Sequence, residues 1–380
     1  MGNNVFRIEV AGSGKTYGIC KDVILKGRPE NGKRVLIVTY TNNGKAALER
    51  EYKKQNDGLI DDYVDVFTWY HFLLADMIKP YQVHFPGVDI NEIHSIDFSE
   101  RKDNQYGDRT RKGKHDTDKR VYINPDSTLA KDFASEFAFK SNNNSKGLSI
   151  RRLESIYQDI YFDEVQDLAG WDIDILKELV NSSVNITAVG DPYQTTYSTN
   201  YNPKNKKLSG ENIANLASSN GFLVEHRTKS RRCNEPICSF AMRIGNTPYQ
   251  ISSGNFEKTG HDGVFLVCEN DSLSYYSYFK PQVLIYSKRD LKHRDWNAIT
   301  YGASKGLTFD RTLISSTKPL KSFILNNCKT IESPNKYYVA VTRARFSVCI
   351  IVDTFPPDYG SRMEMIEVEG GKLIHLYRLF

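Results

Sequence analysis

Short apolar runs alternating with helical periodicity give the first picture of this chain. Val5 to Val10 reads as a strand, followed by a helical stretch to about Leu25. Lys33 to Thr39 is a second strand ahead of a helix through Tyr52, and Val64 to Thr68 is a third. Periodicity weakens from about Lys79 to Gly147. The apolar alternation of Ile156 to Ile160 then predicts a strand that runs into Tyr161-Phe162-Asp163-Glu164-Val165-Gln166-Asp167, with a helical pattern from near Trp171 and another strand at Val184 to Val189. Beyond about Val224 the pattern restarts. A helix runs through Ala241, strands follow at Val264–Cys268, Val283–Tyr286 and Thr312–Ser315, and a helical Tyr337 to Arg345 feeds a strand from Ser347 to Val352. This alternation predicts an α/β fold of two parallel-sheet domains. The expected boundaries are 1–78 with 148–225 for the first domain, 79–147 for a small inserted subdomain and 226–380 for the second domain; the tail after Pro356 suggests a hairpin.

Composition narrows the class without deciding the activity. A hydrophobic share of 39% with 26% charged residues fits a soluble globular chain, and 380 residues suffice for two modest cores. No apolar run is long enough for a membrane span, and the start shows neither a signal-peptide pattern nor, with Phe6 where Ser or Thr is wanted, a myristoylation site; the expected compartment is the cytoplasm. Cys20, Cys233, Cys238, Cys268, Cys328 and Cys349 form no C-x-x-C pair, which supports neither zinc nor a disulfide framework. A net charge of +5 permits nucleic-acid binding without arguing for it.

Candidate chemistry sits where strands end. Gly12-Ser13-Gly14-Lys15-Thr16 follows the first strand and opens a helix. Small residues there let backbone N–H groups turn toward phosphate oxygens, Lys15 reaches the β- and γ-phosphates, and the Thr16 hydroxyl ligates Mg²⁺. The full phosphate-loop pattern fails at its first glycine, where Glu9 stands. Asp163 is placed for the hydration shell of Mg²⁺ and Glu164 for deprotonating a water. Taken alone, that pair reads more readily as an exposed acidic turn after a buried strand; the motifs around it shift the reading. Thr39-Tyr40-Thr41-Asn42 and Thr68-Trp69 put aromatics beside hydroxyls at two strand ends, a pattern for stacking on bases or for ordinary core and rim packing. Gly190-Asp191-Pro192-Tyr193-Gln194 is a turn that would bring Gln194 beside the acidic pair. The charged stretch 101–120 reads as a solvated loop rather than a DNA grip.

Together with Ser304-Lys305-Gly306-Leu307 and Val341-Thr342-Arg343-Ala344-Arg345, this ordered set resembles superfamily 1 helicases of the UvrD/Rep/PcrA kind, from Val5 to Val352. The resemblance implies two tandem RecA-like cores with an ATP cleft between them, and an ATP- and Mg²⁺-dependent motor that moves 3′→5′ on single-stranded DNA. It implies that Gln194 senses the γ-phosphate, that Arg232 and Arg343 close on it, that Gly306 and Arg231 lie near the nucleotide, and that Thr39, Tyr40, Asn42, Thr68, Trp69 and Tyr197 face the strand. Arg231 stands where the family has an adenine-stacking tyrosine, Thr308 where it has a glutamate, Gly302 where it often has a histidine, and Thr199 where it has a base-stacking tryptophan, for which Tyr201 or Trp69 is the expected substitute. The gap between Tyr286 and Thr300 holds only a short charged linker where larger relatives insert a whole subdomain. Translocation is therefore expected before processive unwinding. The rival expectation is a nucleotide-controlled switch serving a nuclease or replication protein. RNA as the track and a monomeric state are both compatible with the residues.

Overall fold

Strands that are apolar at every position need cover on both faces, and this chain builds two sheets that receive it. The structure is a computed structural model that describes residues 3–99, 117–195, 215, 217–290, 292–357, 359–368 and 370–380. The chain divides into two units. One is built mainly from Lys15–Gly190 with the stretches ending at Arg7 and at Glu225; the other is built from Ile8–Gly14, the turn starting at Asp191, and His226–Phe380. The segments 8–14 and 191–195, expected in the first domain, thus group with the second unit.

The strands that begin in the first unit are β1 (Val5–Glu9), β2 (Arg34–Thr39), β3 (Val64–Thr68), β4 (Ser95–Asp97), β5 (Thr128–Ala130), β6 (Tyr157–Phe162), β7 (Asn185–Gly190) and β8 (Leu223–Arg227). Among the described residues the main sheet runs β3-β2-β6-β7-β1-β8. The pairs β2/β3, β2/β6 and β6/β7 are parallel. Asn4, just ahead of β1, bonds through its side chain to the Ile186 N–H at the start of β7 (3.1 Å), so these two strands begin at one edge. Alternation along β2 sends Val35 and Ile37 to one face. There they meet Val64 and Val66, and the helices Lys15–Lys26 and Asn42–Gln55 cover them with Ile19, Val23, Leu48 and Tyr52. Burying each such side chain contributes about 1.5–3 kcal/mol.

The insertion has a small aromatic core of its own. Phe85 stacks on Phe137 at 4.5 Å and meets Tyr122 edge-on at 4.9 Å. The Tyr122 hydroxyl donates to Glu136 (3.0 Å), a buried carboxylate that also pairs with Lys140 (3.1 Å). Strands β4 and β5 pair in parallel beside it.

The second unit carries β9 (Lys229–Ser230), β10 (Ser252–Ser253), β11 (Gly263–Cys268), β12 (Gln282–Ile285), β13 (Ile299–Thr300), β14 (Phe309–Ile314), β15 (Ala344–Val352), β16 (Met363–Val368) and β17 (Lys372–Arg378). Its main sheet runs β13-β12-β14-β15-β11-β17-β16. The period of two splits the apolar strands cleanly. Val264, Leu266, Val348, Ile350 and Val352 join one core, whereas Phe265, Val267, Cys349 and Ile351 join the other. The first five strands in that order pair in parallel, while the tail adds β17 and β16 antiparallel, so this sheet is mixed rather than purely parallel.

Trp69 corrects an expectation. It begins the helix Trp69–Phe72 after β3, only 1% exposed, with its ring against Phe72 and Phe162. Its indole N–H donates to Asp172 (3.0 Å), which also accepts from the Ser135 hydroxyl. A side chain so enclosed and bonded is core, not a platform for a base. Trp69→Phe is expected to lower the unfolding free energy by about 1–3 kcal/mol in urea titration. Binding of single-stranded oligonucleotides, followed by fluorescence anisotropy, is expected to stay unchanged.

Candidate functional site

Lys15 and Thr16 open the helix Lys15–Lys26 in the first unit. Lys15 is 9% exposed, and no acceptor among the described residues pairs its ammonium. Burial opposes the charge, and so does the positive end of the helix. An oxyanion reverses both costs.

The acidic pair sits on the same unit. Asp163 follows β6 directly, donates its N–H to Val38 O (2.8 Å) and accepts the Glu164 N–H on Oδ1 (3.0 Å). Its charge reaches the first helix, where the Cys20 thiol is pushed up to about 12 by burial first and then by Glu51 and Asp163. Glu164 holds a left-handed backbone (φ 55°), and its carboxylate accepts from Gln166 Nε2. A Cβ at Gly190 would collide with Gln166 Oε1, which is why β7 ends in glycine. The Thr16 hydroxyl and the Asp163 carboxylate are hard oxygen donors of the kind Mg²⁺ takes alongside water and phosphate.

The glycine loop belongs to the second unit. Gly12 has φ +75°, and a Cβ there would come within 2.5 Å of Arg232 Cβ and 2.8 Å of Ser230 Oγ. The Arg231 N–H donates to Gly12 O (2.8 Å), and the Ser230 hydroxyl donates to Ala11 O (2.8 Å). Gly14 also adopts positive φ (95°). Glu9, the departure from the phosphate-loop pattern, is buried and accepts from the Ser13 hydroxyl (2.9 Å) while pairing with Arg227 (3.3 Å). The misfit residue thus braces the loop. Arg231 is exposed; Arg232 is half-buried and donates through Nη1 to Thr342 O (3.0 Å).

The same unit joins Gln194 to Arg343. Gln194 Nε2 donates to Asp191 Oδ2 (2.8 Å), and its Oε1 accepts from Arg343 Nη2 (3.3 Å). Arg343, 1% exposed, also donates through Nε to Val339 O (2.9 Å) and through Nη1 to Leu307 O (3.4 Å). The helix expected over Tyr337 to Arg345 stops at Val341, because Ala344 already pairs with Phe309 in the sheet. Gly306 lies in an exposed turn with φ +82°.

Residues 121–352 match the viral superfamily 1 RNA helicase core domain, more than half of the chain. The chain belongs to that family. The superfamily expected from the motifs holds; what matches is the viral core. No curated protein matches this helicase core. Among solved structures, the PRRSV helicase aligns at 14% identity with a TM-score of 0.47, over 99% of this chain and 59% of that one. Arterivirus nonstructural protein 10, a helicase, aligns in complex with DNA at 15% identity and TM-score 0.46, over 92% and 60%, and alone at 14% and 0.45, over 92% and 59%. The chain therefore spans about three fifths of their length.

The residues expected to face a nucleic-acid strand fall in differing settings, those among the described residues all ahead of the matched segment 121–352. Thr39 is buried, Asn42 is exposed at the start of its helix, and Thr68 accepts the His71 N–H (3.3 Å) as a cap. Tyr40 is half-buried, with its hydroxyl 3.2 Å from that of Tyr70 and its pKa pushed up to about 12, chiefly by burial. Tyr197, Thr199 and Tyr201 lie outside the described residues, as does 101–116 of the charged stretch. Among the described residues no helix is long and apolar enough to cross a membrane, and no group of three His, Cys, Asp or Glu gathers as a metal site.

Sequence reasoning passed over Asp191 and Tyr338, both 0% exposed, and the bracing role of Glu9. A carboxylate directly after an apolar strand was the available signal for Asp191. Gly12→Ala is expected to lower stability by about 2–4 kcal/mol, from backbone strain plus overlap with Arg232 and Ser230. Urea unfolding measures the loss.

Proposed function

We propose that this chain is an ATP-hydrolysing motor that moves along single-stranded nucleic acid, in the 3′→5′ direction suggested by its motif set. DNA is the track favoured by the UvrD/Rep/PcrA resemblance, and RNA is the second, because the matching family is described as an RNA helicase core. The observation that carries the reading is Lys15: a buried ammonium at the positive end of a helix, directly after a glycine loop, in a chain of this family.

Lys15 and the N–H groups of Gly12, Ser13 and Gly14 take the phosphates. Thr16 and Asp163 hold Mg²⁺, which neutralises charge on the phosphate oxygens when bound. Glu164 orients a water and accepts its proton, in a position held by Gln166. Gln194 reads the γ-phosphate, and Arg232 and Arg343 stabilise charge on its oxygens as it transfers. Arg231 and Gly306 lie toward the base and ribose. Tyr40, Thr39, Asn42, Thr68 and Tyr197 contact the strand. A cytoplasmic, monomeric protein suffices for this activity.

A second reading has support in one feature. Between β12 and β13 the described residues form only turns, with no room for a further folded module. That favours a motor or switch subunit that acts with a nuclease or replication protein and unwinds little alone. Strand displacement on 3′- and 5′-tailed duplexes separates the two, with displacement from the 3′ tail expected for the first.

Phosphate release from ATP, with and without single-stranded DNA or RNA, tests the chemistry. Glu164→Gln is expected to lower stimulated turnover by about 10²–10⁴ while nucleotide still binds. Lys15→Ala is expected to abolish both. Near-normal turnover in either variant removes that residue from its role.

A further inference from the structure

We infer that Tyr338 is a positioning residue for hydrolysis: its hydroxyl ties the glycine loop to the Asp191–Gln194 turn and thereby sets the amide of Gln194. The inference rests on the role proposed above for Gln194.

Tyr338 lies in the helix Pro334–Val341, wholly buried, in the unit that also holds Ile8–Gly14 and the turn from Asp191. Its hydroxyl donates to Asp191 Oδ2 (3.2 Å) and accepts from the Ala11 N–H (3.5 Å). Burial first, and then the charge of Asp191, raise its pKa well above the usual value, so the group stays a donor. Asp191 is itself wholly buried. It accepts the Tyr193 N–H on Oδ1 (3.0 Å) and shares Oδ2 between Tyr338 and Gln194 Nε2 (2.8 Å).

That arrangement leaves the Gln194 amide no choice of direction. Its Nε2 meets a carboxylate and its Oε1 meets the Arg343 guanidinium, so a flipped amide would set acceptor against acceptor and donor against donor. The ring of Tyr338 is equally fixed. A Cβ on Gly245 would lie 3.0 Å from Tyr338 Cδ2, and the Tyr193 ring packs with its centroid 6.0 Å away. Gly245 therefore lets the tyrosine seat deeply enough for its hydroxyl to reach both partners. A second link runs through Thr342, whose hydroxyl donates to Tyr338 O (2.8 Å) and accepts from Arg343 Nη2 (3.2 Å). Movement of the loop at Ala11 is thus felt at the Tyr338 hydroxyl, which shares a carboxylate oxygen with Gln194.

The test uses the full chain, ATP and an oligo(dT) or oligo(U) strand, with Tyr338→Phe, Gln194→Ala and the double variant. Tyr338→Phe keeps the ring and removes only the hydroxyl. Its stimulated kcat is expected to fall about tenfold with KM for ATP within about twofold, and the double variant is expected to fall no further than Gln194→Ala. Unchanged kcat in Tyr338→Phe, or losses that multiply in the double variant, would overturn the inference and leave Tyr338 a core residue. If Tyr338→Phe does not fold, Asp191→Asn in the same cycle reads the same coupling, with multiplying losses again counting against it. A wild-type chain that does not hydrolyse ATP overturns the motor reading instead, so the two failures are distinguishable.

Discussion

At Gly12 the loop backbone lies so close to Ser230 and Arg232 that a single methyl group has nowhere to go. This contact decides how the loop presents itself. With the Ala11 and Gly12 carbonyls taken by the Ser230 hydroxyl and the Arg231 N–H, the negative ends of those peptides are committed to protein donors. A loop arranged this way keeps carbonyl oxygen off an incoming anion, which a nest for phosphate requires. Ser230 and Arg232 flank a loop residue, Gly12, that has no room for a side chain. Arg232 is one of the cations proposed to act on the γ-phosphate, so the same close approach that shapes the loop also positions a charge.

Buried polar groups in the second unit form a connected set rather than isolated pairs. Asp191, Gln194, Tyr338, Thr342 and Arg343 exchange hydrogen bonds with one another, each deeply buried. In such surroundings an unmade bond is expensive, about 1–3 kcal/mol for a neutral group and more for a charged one. The network is therefore held in one arrangement. A rigid polar core suits the proposal that Gln194 and Arg343 respond together to a single phosphate.

The strands were legible because their signal is local. Runs such as Val264 to Cys268 and Val348 to Val352 are apolar throughout, and the sheet then splits them by parity between two cores. Lys15, Asp163, Glu164, Gln194 and Arg343 could be proposed from the sequence because each stands near the end of an expected strand or helix, in a fixed order. Trp69 was misread because exposure at a strand end is set by what packs above it, here Phe72, Phe162 and Asp172, the last more than a hundred residues away. The end of the helix before Arg343 was missed for a similar reason: Ala344 is drawn into β15 by pairing with Phe309, a contact that spacing along the chain does not reveal. Glu9 looked like a defect in a motif. Only its partners, Ser13 and Arg227, show that it fastens the loop.

Glu164 carries a last implication. A residue with a Cβ held at φ 55° costs the fold about 1–2 kcal/mol relative to glycine or asparagine, which occupy that region with less resistance. Folding and the chemistry proposed for Glu164 therefore make opposite demands at this one position. The surrounding sheet must be stable enough to hold a carboxylate where the backbone alone would choose otherwise, and, on the role proposed for it, variants selected only for robustness would drift toward an inert chain.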